Sequence, residues 1–301
     1  MELRHLRYFV AVAEEGSLTV AAQKRLHTAQ PSLSRQIHDL ELELGVQLLI
    51  RGSRGVELTA SGRVFLDHAR VALLQVEAAG EAARRAAQPA RTTFAIGFLT
   101  GYEMDWLPVV MEILRAELPS TEVVIHSQDS PDLAAGLMRG KIDFAFMRPE
   151  KPAPGLKFRL LRKDPLIALM PHDHPLAARD SIRPQDLAGE TFIATSPERA
   201  PTLRTVVDGY IKQLSLDLKP DHIAKNISMA IALVASTRGV SLLPLYAQNL
   251  LPKTVVSRPI RGNPPMIDLV VGYNEANTSP LLKFLLSKVD ELKFRVSGRE
   301  R

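Results

Sequence analysis

Two sets of side chains in this 301-residue chain have types and spacing that could do chemistry. The first is Gln30, Pro31, Ser32, Ser34 and Arg35, with Arg51 and Arg54 downstream. A guanidinium can donate two hydrogen bonds to a guanine edge in the major groove. An amide can pair with adenine, and a hydroxyl reaches bases or phosphates. The run Arg51-Gly52-Ser53-Arg54-Gly55 puts two arginines on a glycine-rich tip, which suits phosphate or minor-groove contact. The second set is Thr100, Gly101, Ser130, Arg148, Ser196 and Thr202, with Asn226 as a weaker member. Hydroxyls and free N–H groups at helix starts favour a carboxylate, because the helix dipole and the unpaired donors both face it. Arg148 could add a bidentate partner. Taken singly, each hydroxyl could be no more than a helix cap. His172 and His174 stand two apart, which can suit a metal on a strand, but no metal is expected there. No Ser-His-Asp arrangement, phosphate-binding loop or paired carboxylate site stands out, so no catalytic residue and no cofactor is expected.

The elements that must position the first set are short helices. Leu3, Leu6, Val10 and Ala13 make one helical stripe with Phe9 beside it. Gly16 stops that helix and Ser17 is a good N-cap for the next, which spans about 18–26 and buries Leu18, Ala22 and Leu26. A third helix starts near Gln30 with Pro31 in its first turn, where a missing N–H costs nothing, and ends at Gly45. It puts Leu33, Ile37, Leu40 and Leu44 on one face and Ser32, Ser34, Arg35 and Gln36 on the other. Val46–Leu49 and Val56–Thr59 flank the basic tip as a hairpin wing. Residues 1–58 therefore read as a winged helix-turn-helix domain whose exposed face meets DNA. From Thr59 to about Gln88 the composition turns alanine-rich, giving a helix of about 40 Å. Its stripe of Phe65, Ala69, Ala72, Val76, Ala79 and Ala83 needs a covering surface. A second copy of the same helix is the simplest one, and packing on its own chain is the alternative. Residues 59–89 are thus a linker and dimerisation helix.

After the hinge-like Pro89–Thr92, strand and helix patterns alternate twice, as in an α/β fold. The expectation is two α/β subdomains over 90–301, the first at about 92–161 and 266–301, the second at about 162–265. Crossovers fall near Arg148–Pro152 and near Arg261–Pro265. The second set of side chains then collects at the C-terminal ends of the strands, where such folds enclose a cleft. Trp106 and Tyr102 could line it or pack beneath it.

Composition bounds these readings. The chain has no cysteine, which excludes disulfides, thiol redox sensing and Cys-ligated metals. The net charge is +5 and the pI about 9.5, compatible with a nucleic acid or an anionic ligand. Residues 1–90 hold 11 Lys/Arg against 10 Asp/Glu, so the case for DNA rests on where particular side chains point. The charged N-terminus does not read as a secretory signal, and no run approaches the ~18 apolar residues of a membrane span. A cytoplasmic protein is expected. A solute-binding protein and an enzyme using the cleft are the competing classes.

The segments MELRHLRYFVAVAEEGSLTVAA, LHTAQPSLSRQI, LELELGVQLLIR and ELTASGRVFL, in this order and spacing, resemble the N-terminal domain of LysR-type transcriptional regulators. GKIDFAFMR, DHPLA and GVSLLP resemble that family's effector domain, so the likeness covers essentially the whole chain. LHTAQPSLS and RPIRGNPP are most similar to the branch that regulates catabolism of aromatic acids such as phenylpropionate, benzoate or muconate. The resemblance implies two subdomains of the periplasmic-binding-protein type and a homotetramer built from dimers. It also implies promoter binding in which Ser34 and Arg35 are the main contacts, and response to a small effector. PHDHPL looks like a structural loop of the family. One departure stands out: Ala21-Ala22 and Leu26 are separated by three residues, Gln23-Lys24-Arg25, where the family usually has two. The extra residue must be absorbed at the start of the second helix or as a local bulge, which leaves the placement of Thr19 and Val20 open.

Overall fold

The computed structural model describes residues 1–52, 55–87, 93–150 and 153–299. They form two compact units, Met1–Ala87 and Gln88–Arg301. Arg54 and the hinge-like 89–92 lie outside the described residues.

In the first unit, helix α1 spans Leu3–Glu15 and closes on Gly16 in the left-handed conformation, φ +62°. Its buried side is Leu6, Phe9, Val10 and Val12, while Leu3 is exposed. The stripe is thus turned from the one expected, because α1 is covered from two sides. Helix α3, Gln30–Leu44, brings Leu33, Ile37 and Leu40 against it. Helix α4, Ala60–Ala87, brings Phe65, whose ring meets Phe9 edge-on at 5.1 Å.

Helix α2 begins at Leu18, with the Ser17 hydroxyl accepting from the Val20 N–H. After Val20 it widens into a π-helical turn over Ala21–Leu26, leaving through His27 at φ +48° with its N–H bonded back to Ala22 O. A π-turn closes i→i+5 bonds instead of i→i+4, so it takes up one residue more than an α-turn. That is where the extra residue goes: it becomes a local bulge, and the start of the helix is undisturbed. Ala21 and Ala22 stay fully buried and Leu26 still packs on the core. Deleting the exposed Gln23 should therefore leave an ordinary α-helix between Ser17 and His27. Helical circular dichroism should be retained and the stability of this unit should change by less than about 1 kcal/mol. Loss of cooperative unfolding would show that the bulge is needed.

Strands β1, Leu49–Gly52, and β2, Gly55–Leu58, pair antiparallel to form the wing. The expected strand at Val46–Leu49 starts only at Leu49. The Leu48 and Leu49 N–H groups donate to Glu41 Oε1 of α3 at 2.7 and 3.0 Å, which anchors the wing to that helix. The Thr59 hydroxyl caps α4 by accepting from Gly62 N. The stripe of α4 is covered over its first turns, where Phe65, Ala69 and Ala72 join the helix-turn-helix core. Val76, Ala79 and Ala83 are exposed. Packing on the same chain thus accounts for only the first half.

The second unit is a mixed sheet in the order β4-β3-β5-β11-β6-β9-β7-β8, with β10 also on β6. Its elements are β3 (Thr93–Leu99), α5 (Glu103–Glu117), β4 (Glu122–Gln128), α6 (Ser130–Met138), β5 (Phe144–Met147) and β6 (Leu156–Pro171). Then come β7 (Phe192–Thr195), α7 (Pro201–Gln213), β8 (Pro220–Ala224), α8 (Ile227–Thr237) and β9 (Val240–Pro244). The last are β10 (Val255–Pro259), β11 (Met266–Asn274), α9 (Pro280–Ser287) and α10 (Val289–Arg299). The sequence shows only the second half of β6 and misses β10, and it merges α9 with α10.

Strand β6 makes the crossing between subdomains. Leu156–Pro165 pair with β11, and Leu166–Pro171 pair with β9 or β10. The first crossover therefore lies near residue 165; of the expected crossover at Arg148–Pro152, Arg148–Glu150 follow the end of β5 within the first subdomain, and residues 151 and 152 lie outside the described residues. Proline lacks the N–H of a ladder donor, and Pro165 stands where the partner strand changes. The return runs through Pro264-Pro265 into β11. Among the described residues no helix is long and apolar enough to cross a membrane.

Candidate functional site

On α3 the exposed face carries Pro31, Ser32 and Arg35. Arg35 has no ion-pair partner among the described residues. Gln30, Ser34, His38 and Arg51 line a notch between this helix and the wing, and Arg51 Nη1 donates to Ser34 Oγ at 2.8 Å. The wing and the helix are thus joined at one donor-rich groove. Gln36 is turned away from it, because its Oε1 lies 3.2 Å from His5 Nε2 of α1.

In the second unit a cavity of about 60 Å³ opens between the subdomains. One buried water needs roughly 10–15 Å³ by this measure, so it has room for several waters or a small ligand. Thr100, Ser130, Arg148 and Asn226 line it, as do Asp129, Glu150, Arg199, Lys225 and Tyr246. Three helices begin there: α6 at Ser130, α7 at Pro201 and α8 at Ile227. Neither Asp129 nor Ala200 caps its helix with a side chain, so the first N–H groups of α6 and α7 receive no side-chain acceptor. Aligned starts of this kind favour an anion. Arg199 Nη2 is 2.6 Å from Asp129 Oδ2 and 2.9 Å from Asp132 Oδ2. Lys225 has no ion-pair partner among the described residues. Burial pushes the Glu150 carboxyl up to about 7, against the opposing effects of the Thr202 hydroxyl and the Arg148 charge. Burial also raises Asp129, with Arg199 pulling the other way.

The comparisons with known proteins agree with both halves. Residues 3–63 match the model of the bacterial regulatory helix-turn-helix protein, lysR family, and residues 87–291 match the LysR substrate binding domain. The chain belongs to the LysR family. It is 38% identical over 291 residues to the Hca operon transcriptional activator HcaR of Escherichia coli (strain K12), covering 97% of this chain and 98% of that one. It is 35% identical to the regulator BenM of Acinetobacter baylyi, over 83% of this chain and 82% of that one. The crystal structure of full-length CbnR complexed with its target DNA matches with a TM-score of 0.57 at 26% identity, over 97% of this chain and 100% of that one. As a LysR-family member the chain is a DNA-binding transcription regulator and not an enzyme.

Within this LysR fold the cavity gathers only part of the expected set. Gly101 is off the lining: its φ is +100° and a Cβ there would lie 2.9 Å from the Tyr246 ring, so it serves the turn. The Ser196 hydroxyl donates to Glu198. The Thr202 hydroxyl is within reach of Pro149 O at 2.9 Å and Glu150 Oε2 at 3.0 Å. Asn226 lines the cavity, but its Oδ1 accepts from Met229 N as a helix cap. Ser130 Oγ accepts from Arg148 N at 3.0 Å.

The largest correction concerns Arg148. Its side chain is 5% exposed and its Nη2 donates to Asp164 Oδ2 at 3.1 Å and to the Tyr102 hydroxyl. Arg162 Nε lies 2.8 Å from the other oxygen of Asp164. Tyr102 donates to Asp164 and its ring is 3.9 Å from that of Tyr246. Arg148 is thus held by an acid of its own chain and is not a free clamp for a ligand carboxylate. Tyr102 is buried in this cluster, and Trp106 packs at 5.2 Å from Phe146 in the core; neither lines the cavity. The two histidines also diverge. The His172 ring faces Thr254 O at 3.3 Å, and His174 faces Glu190 at 3.2 Å while accepting from Leu176 N. Sequence reasoning passed over Glu150, Lys225 and Tyr246. Tyr246 follows the C-terminal end of β9, so the strand-end rule that selected Thr100 and Arg148 would also have reached it.

Proposed function

We propose that this LysR-type regulator is switched by a small carboxylate held between the subdomains of residues 88–301. The observation that carries the reading is the convergence of three helix starts and of Lys225, which has no ion-pair partner among the described residues, on one cavity beside the Tyr246 ring. An aromatic monocarboxylic acid fits these walls: helix N–H groups and an ammonium for the charge, a tyrosine for the ring. Ligand-dependent population of two assembly shapes would then reset the spacing of the DNA-binding units. The open Val76–Ala83 half of α4 is the surface for pairing two copies, and two such pairs form a homotetramer acting on promoter DNA in the cytoplasm. A thermal-shift screen of carboxylic acids tests the cavity: a ligand at 100 times its Kd adds ~2.7 kcal/mol, and no shift from any acid would overturn the reading.

For DNA, the reading rests on Arg35, exposed and without an ion-pair partner among the described residues, beside the Arg51–Ser34 contact. Gln30, Pro31 and Ser32 stand at the helix mouth. Replacing Arg35 by Ala should weaken promoter binding by ~1–3 kcal/mol and relax sequence preference, while Arg51→Ala should weaken all sequences and reduce the salt slope. Unchanged gel-shift affinity of Arg35→Ala at moderate salt would remove the assignment.

A further inference from the structure

We infer that Arg51 makes Ser34 a one-way reader of DNA: the Ser34 hydroxyl donates to an acceptor on a base edge and rejects an amino group there. This rests on the reading of α3 as the DNA-facing helix.

The first observation is an unused hydrogen. Arg51 Nη1 donates to Ser34 Oγ at 2.8 Å. A guanidinium has donors only and keeps its charge, so this contact takes a lone pair of the hydroxyl and never its hydrogen. A serine or threonine inside a helix can give that hydrogen to the carbonyl four residues back. Ser236 and Thr237 of α8 do so, to Ala232 O at 2.9 Å and Leu233 O at 2.8 Å. Ser34 makes no such bond to Gln30 O, and its hydroxyl has no acceptor among the described residues. The hydrogen is left for whatever enters the notch that Ser34 lines with Gln30, Arg35 and His38.

The second observation is that Arg51 is held in place with its charge open. Glu41 of α3 ties the wing to the helix by accepting from the Leu48 and Leu49 N–H groups. Arg51 follows on the same strand, β1, and has no ion-pair partner among the described residues. Its positive charge therefore stands beside Ser34 with no acid to offset it. An incoming amino group brings its hydrogens against that charge, whereas a base acceptor is drawn to it. In the major groove the acceptors are the purine N7, guanine O6 and thymine O4, and the amino groups are adenine N6 and cytosine N4. Arg51 is thus a positioning residue that acts on base choice through Ser34, besides any phosphate it meets.

Selection of duplexes from a randomised library by the full-length protein tests this. Comparing wild type with Ser34→Ala locates the base pair whose preference depends on Ser34. Reversing that pair puts an amino group where the acceptor stood. The reversal should weaken wild type about tenfold. It should weaken Arg51→Ala about threefold or less, because the released hydroxyl can turn and accept. Each ratio is taken within one protein, so a general loss of phosphate contact cancels. On the unreversed pair, one acceptor replacement (7-deazapurine for N7, 6-thioguanine for O6 or 4-thiothymine for O4) should weaken wild type more than Ser34→Ala. Removal of an amino group (purine for adenine, 2-pyrimidinone for cytosine) should affect both proteins alike. The inference is overturned by an equal reversal ratio in Arg51→Ala and wild type, by a Ser34-dependent loss on amino removal, or by finding no base pair that depends on Ser34. The recognition helix still stands in those cases if Arg35→Ala shifts the selected sequences. Selection unchanged in both Ser34→Ala and Arg35→Ala overturns the two together.

Discussion

Replacing Asp164 by Ala should destabilise the 88–301 unit by ~3–5 kcal/mol, the cost of leaving a buried charge without its partner. Asp164 is 1% exposed and faces Arg148 on one oxygen and Arg162 on the other. Guanidinium groups do not deprotonate in proteins, so removing the carboxylate leaves the buried Arg148 cation without its acid. Arg148 keeps only Tyr102 and the Ile267 carbonyl as acceptors. Denaturant unfolding of the full chain, following the transition of this unit, measures the loss. Asp268→Asn is the internal control, because the Lys163–Asp268 pair is equally short at 2.8 Å but its side chains are 55% and 38% exposed. Exposed pairs contribute ~0–1 kcal/mol. If the two variants lose the same amount, burial does not make the Arg148–Asp164 pair matter more than an exposed one.

Glu150→Gln should do the opposite, and only at high pH. The Glu150 carboxyl is raised from an ordinary value of 4.5 to about 7 in the folded chain. A raised carboxyl favours the folded state while both states are protonated, and that advantage is lost as pH climbs through the folded value. Wild type should therefore lose up to ~3 kcal/mol between about pH 5 and about pH 8, at 1.36 kcal/mol per unit. The glutamine variant carries no such charge. The two proteins should unfold alike near pH 5, and the variant should be the more stable by up to ~3 kcal/mol near pH 8. Equal stability across the whole range would mean that Glu150 is solvated in a way its burial does not show.

Much of the fold was legible because it is written in local periodicity. Leu33, Ile37 and Leu40 mark α3, Gly16 and Gly45 mark helix ends, and alternating apolar runs mark the α/β unit. The extra residue before Leu26 was legible as a count, and the π-turn that absorbs it follows from the need to keep Ala21, Ala22 and Leu26 inward. The first half of β6 was not legible, since Lys157, Arg159, Arg162 and Lys163 break its apolar pattern, and Lys157, Arg159 and Lys163 pair with acids brought by distant elements, Glu275, Asp290 and Asp268. The cavity was half legible for the same reason. Positions at strand ends such as Thr100 and Arg148 could be chosen from the sequence. What those side chains bind is decided across the fold, by Asp164 for Arg148 and by Glu150 for Thr202.

Strand β6 gives the second unit a mechanical character. Two lobes joined by loops swing apart at little cost, because loops carry few bonds across the joint. Here one lobe shares a continuous strand with the other, hydrogen-bonded to β11 before Pro165 and to β9 and β10 after it. Turning one lobe against the other must wind that strand or open its ladder near Leu166, whose N–H is tied to Pro265 O at 3.0 Å. A joint built this way acts as a torsion spring with a defined resting angle, set by the strand pairings on either side of Pro165.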